Sequence, residues 1–530
     1  MHRAFIAIVL AVLGFASSAS AAPVFFVTGH GWGHGIGMPQ YGAYGFAQQG
    51  WTYTRILDHY YPGTQAGQTP VTSVRVLLDT GRPSVGFGST APYTVEDGAG
   101  RSWALPAGTR SLGTGLKLKI DGKVVKLTNP VRVIPGARFV AAGGREYRGS
   151  LTIRAAGGSL SVVNHVGLEG YLYGVVPWEM PSRWSPAALR VQAVAARSYA
   201  LASRKPTAFY DMFDDTRSQV YGGVVAEDPR TNAAIADTAR EIRTDDGAVA
   251  WTFFHSTSGG RTAAIQDVWP SATPKPYLVS VPDPHDSISP YHNWGPFRYS
   301  RAALDAELGS SVAGRLLDLK TTINGSRRVD RVLAKGSAGP TSMPASSFQV
   351  ALGLRSTWFR IGVMNLKTAK RQVALGGRTK LTGLARAVGK PWLERRPEGG
   401  AWTRVRDLKP AADGTFATTV RTRVATAFRI ASKRGKGAPV RVLVAAKVNF
   451  FEVTDPTRLT GLVLPLRPRA TVVIQRRAGS GWLAVAKGRT TASGEFSIRV
   501  ALRTGVYRGI AMLGSRATLG RTPLLHVVSE

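Results

Sequence analysis

Between residues 71 and 166, apolar and polar side chains alternate in short runs broken by Gly or Asp-Gly. SVRVLLD (73–79), LKLKIDGKVVKL (116–127) and SLTIRAAGGSLSVVNHV (150–166) are the clearest. Successive strand residues face opposite sides of a sheet, so these runs bury one face and wet the other. Turns this tight join antiparallel neighbours, and Asp121-Gly122 is a hairpin signal. The 60 glycines and 31 prolines fit a chain rich in turns. At 530 residues the chain exceeds one ordinary core, so several domains are expected.

The stretch 171–203, YLYGVVPWEMPSRWSPAALRVQAVAARSYALAS, breaks the alternation. Ser185 suits an N-cap and Pro186 a first helical position, and 187–202 is rich in helix formers. Ahead of the helix, Glu179 lies between Trp178 and Met180, bracketed by Pro177 and Pro181. It reads two ways: an ordinary loop carboxylate, or an acid positioned among apolar neighbours.

Upstream, 25–64 carries glycines at 29, 31, 33, 35 and 37 with His30 and His34 among them. Such a run forbids a stable helix and lets backbone approach a ligand. It lacks the Gly-Lys-Ser/Thr of a phosphate loop. Short helices are expected near Gln40–Ala47 and at 56–61. Downstream, 231–243 reads as an amphipathic helix with Ala234, Ile235, Thr238 and Ile242 on one side. Residues 248–263 read as a buried strand ending in a Gly-Gly turn.

The tail repeats at an offset of about 80 residues. TKLTGLARAV (379) matches TRLTGLVLPL (457), and ADGTFATTV (412) matches ASGEFSIRV (492). Two small β-sandwich modules are expected, with Trp402 and Trp482 as core residues. Of the net charge of +36, +24 lies beyond residue 365, as 32 basic against 8 acidic residues. That points to an anionic partner. Arg3, the apolar run 4–15 and Ala19-Ser20-Ala21 read as an export signal cleaved near Ala21-Ala22, the alternative being a membrane anchor. Export argues against nucleic acid. With no cysteine there is no disulfide, thiolate nucleophile or cysteine–zinc site.

Seven separated motifs together resemble the SpoIID/LytB family of sporulation stage II protein D and amidase-enhancer proteins. They are GHGWGHGIGMPQYGA, the run ending GYLYGVVPWEMP, LRVQAVAARSYAL, DDTRSQVYGG, HSTSGGRT, PYLVSVPD and LGLRSTWF, within residues 22–363. The resemblance implies a peptidoglycan lytic transglycosylase with Glu179 as the catalytic acid. It implies Arg197, Tyr277 and Asp286 as active-site companions and His30, His34 and Gln40 as cleft-lining residues. Gln219, His255 and Ser258 fall in further family motifs and join the expected substrate-binding set. In relatives the GHG motif follows the LGLRST segment, so this unit reads as circularly permuted. Some relatives bind zinc through a His-Cys pair where this chain has Arg217-Ser218, so neither metal nor cofactor is expected.

The expected architecture is α+β: a signal peptide (1–21), a GHG segment completing the cleft (22–70), a mixed α/β SpoIID-like catalytic domain with an antiparallel β subdomain (71–363), and two all-β sandwich modules (366–450 and 451–530). The expected protein is secreted to the cell envelope. Its expected partners are peptidoglycan glycan strands, anionic wall polymers held by the basic tail, and a cell-wall amidase. The alternative function is a non-catalytic amidase enhancer. Arg197 is open between holding substrate, capping its own helix and pairing with Asp211, Asp214 or Asp215; Asp286 is open between the cleft and a turn.

Overall fold

Alternation in the first half becomes sheet, as the pattern dictates. A computed structural model describes residues 19–528 apart from 452, 454, 456, 466–468 and 514–516. The molecule is mostly β, 45% strand and 17% helix, in an α+β arrangement. A seven-stranded sheet runs in the order Met212–Phe213, Ser73–Arg82, Ser159–Gly167, Ser150–Ala156, Val131–Pro135, Tyr93–Glu96 and Ser102–Leu105. All pairings in it are antiparallel except the first. The Asp121-Gly122 turn joins Lys117–Ile120 to Lys123–Lys126. Val76, Val95, Val133, Ile153 and Leu160 fill the core beneath these strands.

Five helices lie near the Glu179 segment: α1 (Gln40–Gln48), α2 (Tyr53–Tyr60), α3 (Leu168–Glu179), α4 (Pro186–Ala202) and α5 (Pro229–Asp237). α4 is the hub. Twelve of its residues are buried, and it packs against α1, α2, α3 and α5. Its apolar Ala-rich surface permits that many close neighbours. The helix expected at 231–243 stops at Asp237. Arg240 takes a left-handed φ of 64°, and Glu241–Asp245 becomes a strand paired with Gln65–Gln68. Ile242 is therefore a strand residue. The stretch 248–263 is not one strand. It holds two two-residue strands and spreads its backbone bonds over the glycine loop, including Met38 N to Phe253 O at 3.0 Å and Trp32 N to Thr257 O at 2.8 Å.

The expected boundary at 363–366 falls inside the strand Phe359–Thr368. That strand pairs with Val24–His30 on one side and Arg378–Arg386 on the other. Asn293–Ser300 and Thr415–Arg421 extend the same antiparallel sheet at its two ends. Upstream and tail segments thus share one sheet. Ala19–Ser20 also pairs with Phe359–Thr368, so cleavage after Ala21 would remove that short strand. Residues 1–18, most of the expected export signal, lie outside the described residues.

In the tail, Arg378–Arg386 pairs with Thr415–Arg421, and 80 residues on Arg458–Leu464 pairs with Glu495–Arg499. Trp402 and Trp482 are not core residues. Each is half-buried under an arginine from a strand two places away in its sheet, Arg429 at 3.9 Å and Arg508 at 4.0 Å from the ring. Among the described residues, no helix is long and apolar enough to cross a membrane.

Candidate active site

Glu179 is the last residue of a helix, not a loop residue. Leu168, Tyr171, Leu172, Val175 and Val176 form the buried stripe that makes 168–179 helical. Pro177 lacks the N–H an inner turn needs, and Pro181 drives the preceding residue extended; Met180 sits at φ −136°, ψ 131°. The two prolines thus end α3 at the carboxylate.

Glu179 Oε1 accepts the Val220 N–H at 3.1 Å, and the Gln40 side chain sits against the carboxyl. Burial pushes its pKa up, and it outweighs the Val220 and Gln40 contacts, which favour the charged form. The negative end of the α3 dipole acts in the same direction as burial. Trp178 does not shield the acid. It is 56% exposed, with its indole against Gly222. Tyr171 and Tyr199 lie close enough that the Glu179 charge helps raise both their pKa values, after burial. Gln219 fixes the wall: its Oε1 accepts from Tyr171 Oη at 3.1 Å and its Nε2 donates to Ala196 O at 3.4 Å. The next residue, Val220, then presents its N–H to Glu179.

Gln40 reaches this point because the glycine loop turns sharply. Gly31, Gly33, Gly35 and Gly37 all have positive φ, from 69° to 112°. Met38–Pro39 then pairs in parallel with Phe254–His255 and sets Gln40 at the start of α1. His34 and His255 pin this crossing. His34 Nδ1 accepts the Ile36 N–H at 3.0 Å, which leaves Nε2 to donate to Phe254 O at 3.1 Å; His255 Nδ1 bonds Ile36 O at 3.2 Å. Burial, then Arg328, lowers the His34 pKa to about 4, so the ring is neutral. His30 packs on Trp358, with ring centres 5.2 Å apart, and its carbonyl accepts from Ser356. These three histidines hold the loop in place.

Asp286 and Ser258 belong to a separate buried network. Asp286 accepts the Ser258 and Gly259 N–H groups at 3.0 and 2.9 Å and faces His292 Nδ1 at 2.9 Å. Ser258 Oγ donates to Asp283 at 2.7 Å, and Tyr60 donates to the same carboxyl at 2.9 Å. Burial, then the Asp286 charge, raises the Asp283 pKa to about 7. Tyr277 Oη accepts the Trp251 N–H at 3.1 Å. Both groups therefore shape the segment 251–260 from behind.

Arg197 is fully buried and faces away from Glu179. It pairs with Glu169 at 2.6 Å and donates to Glu241 O and Ile235 O, rather than meeting Asp211, Asp214 or Asp215. Glu169 and Glu179 stand ten residues apart on α3, about 15 Å along the axis. The α4 residue on the acid's side is Tyr199, since two helical steps turn about 200°. The motif marks Arg197, and the i+2 position of Tyr199 in the same helix is the sequence signal for the residue that faces the acid. Tyr199 continues into half-buried Trp251, Phe253 and Phe254, with ring centres 5.7–6.3 Å from its own. Seven residues before Tyr199 on the same stripe, Gln192 is fully buried with both amide atoms unpaired. Among the described residues, no group of three or more His, Asp or Glu is arranged to hold a metal.

Residues 156–244, which carry Glu179, Arg197, Tyr199 and Gln219, match the family model described as stage II sporulation protein (SpoIID). That segment is SpoIID-like, and the curated relatives support placing it with the SpoIID/LytB family. The amidase enhancer of Bacillus subtilis is 37% identical over 115 residues, 22% of this chain and 15% of that protein. Stage II sporulation protein D of the same organism is 30% identical over 191 residues, 32% of this chain and 55% of that protein. An uncharacterised protein of Brachyspira hyodysenteriae is 36% identical over 144 residues, covering 26% and 38%. The chain spans about half or less of the length of these curated relatives. A solved tetra-tandem repeat from a large adhesion protein covers 87% of the chain at 10% identity, but its TM-score of 0.20 establishes no common fold. The SpoIID match holds the acid and its α3–α4 frame; the glycine loop that supplies Gln40 lies outside it.

Proposed function

We propose that this SpoIID/LytB protein is an exported lytic transglycosylase that cuts peptidoglycan glycan strands with Glu179 as its one acid/base. The observation that carries the reading is the half-buried Glu179 carboxyl, its pKa raised by burial and no cation among its contacts. Two-carboxylate glycosidases need a second group to supply or activate a nucleophile. Here the substrate supplies it. The protonated carboxyl gives its proton to the glycosidic oxygen as the C1–O bond of N-acetylmuramic acid breaks. The C6 hydroxyl of the same sugar then bonds to C1, and the Glu179 carboxylate takes the hydroxyl proton. The product is a 1,6-anhydro end, no water is consumed, and the enzyme is returned protonated. Tyr199, Trp251 and Phe254 offer half-buried ring faces on which pyranose C–H groups pack.

The second reading follows from the relative named amidase enhancer: the chain binds peptidoglycan and stimulates a separate amidase without cutting. In either case the basic tail attaches the protein to anionic wall polymer. One incubation separates the two. Purified protein is mixed with denuded glycan strands, and in parallel with intact sacculi plus amidase, and soluble products are read by mass spectrometry. Anhydro-ended fragments from denuded strands support transglycosylation. Faster amidase release with no anhydro ends supports the enhancer.

A further inference from the structure

A groove runs along the junction between the upstream fold and the first tail sheet, well separated in sequence from the Glu179 segment. Its larger part is a cavity of about 750 Å³ bounded by residues 20–23, 301–335, 365–367 and 382–416. A second cavity of about 380 Å³ shares Lys320, Arg386 and Asp413 with it and continues past them to Arg360.

The lining charge is unbalanced. Two carboxylates face the groove, and both are already engaged. Asp318 is paired with Arg386 at 2.6 Å, and Asp413 accepts from Thr415 N and Oγ1 at 2.9 and 2.7 Å. Arg315, Lys320, Lys335, Lys367 and Arg360 are exposed and make no ion pair among the described residues. Five exposed cations, of which Lys320 also acts on Asp413, line one concave track, where low-dielectric walls focus their field. One buried polar atom of the same lining also lacks a hydrogen-bond partner: Asn365 Oδ1, an acceptor that calls for a hydroxyl, whereas Arg301 Nε already faces Asp305 at 3.6 Å. Phe416 is the one aromatic side chain lining either cavity, and it is buried, so no exposed ring is available to stack bases.

From the cations, the unpaired acceptor and the missing stacking faces, we infer that this groove binds a phosphate-linked polyol or sugar chain. Phosphates lie along the lysine and arginine track and hydroxyls reach Asn365. This site is distinct from the Glu179 centre and does not depend on that centre's activity.

The test uses full-length protein and three probes of equal charge: poly(glycerol phosphate), inorganic polyphosphate and an oligo-dT strand. Binding is titrated over a salt series. Poly(glycerol phosphate) is expected to bind tightest, with affinity falling steeply as salt rises. Lys320→Glu with Lys367→Glu is expected to weaken it at least tenfold and flatten the salt slope. Lys117→Glu with Lys119→Glu, an equal charge change on an exposed strand outside the basic tail, is expected to shift affinity less than twofold. Circular dichroism of each variant confirms that it folds. The inference is overturned if the groove pair binds like wild type, if the two pairs weaken binding equally, or if oligo-dT binds tightest.

Discussion

Replacing Arg197 by methionine separates a structural arginine from a substrate-binding one. The guanidinium is fully buried and makes four hydrogen bonds: two to Glu169, at 3.1 and 2.6 Å, one to Glu241 O at 3.0 Å and one to Ile235 O at 3.3 Å. Breaking a buried pair by removing one partner costs about 3–5 kcal/mol when the remaining charge stays dry. The Glu169 side chain is 29% exposed and also accepts the Arg240 N–H, so water and backbone recover part of its loss. The two carbonyls lose donors worth about 1 kcal/mol each. A net loss of about 3 kcal/mol is expected from urea denaturation followed by tryptophan fluorescence. Adding Glu169→Leu should restore part of that loss, because both members of the pair are then gone. The folded fraction of Arg197→Met should saturate with glycan at the wild-type concentration. Unchanged stability with a several-fold rise in KM would return Arg197 to the cleft and refute this placement.

The raised Glu179 pKa sets the pH dependence. The acid must be protonated to act, so kcat/KM falls as pH rises through that pKa, and the falling limb should lie above the ~4.3 of an exposed glutamate. Gln40 favours the charged form, so Gln40→Met should move the limb upward in a pH–rate profile. Gly42→Ala would put a Cβ 2.3 Å from Tyr60 Oη and 2.4 Å from Asp283 Oδ2; a loss of about 1–3 kcal/mol is expected on thermal or urea unfolding. Asp283 holds its proton to about pH 7 when folded and to about 3.8 when unfolded. Its contribution to stability is therefore complete below pH ~4 and lost as pH rises to about 7. Asp283→Asn should flatten stability over that window.

The sheets of the first half were legible because alternation and Asp-Gly turns are local signals. So was α4, from its Ala-rich run and Pro186. α3 was hidden by Pro177: a proline so close to the acid read as a loop, whereas one in a final turn costs little because the helix is ending there. The 231–243 helix failed because apolar spacing at 234, 235, 238 and 242 fits a helix followed by a strand equally well, and the left-handed Arg240 decides it. Tail boundaries were illegible for another reason. Strand Phe359–Thr368 belongs by motif to one unit and by hydrogen bonds to both. At the site, motif membership collected Arg197, Tyr277, Asp286, Ser258 and the histidines together with Glu179. Side-chain direction then sorted them, leaving Gln40 and Gln219 at the acid and placing the rest behind the walls.

Strand cleavage by this chain would rest on one carboxyl group. Wild type and Glu179→Gln are each incubated with denuded glycan strands, with strand binding measured alongside and products read by mass spectrometry. The expected result is 1,6-anhydro-muramyl ends from wild type and none from the variant, which still binds the strands because Gln is isosteric and leaves the α3–α4 frame unchanged. Equal release of anhydro ends by Glu179→Gln would contradict it.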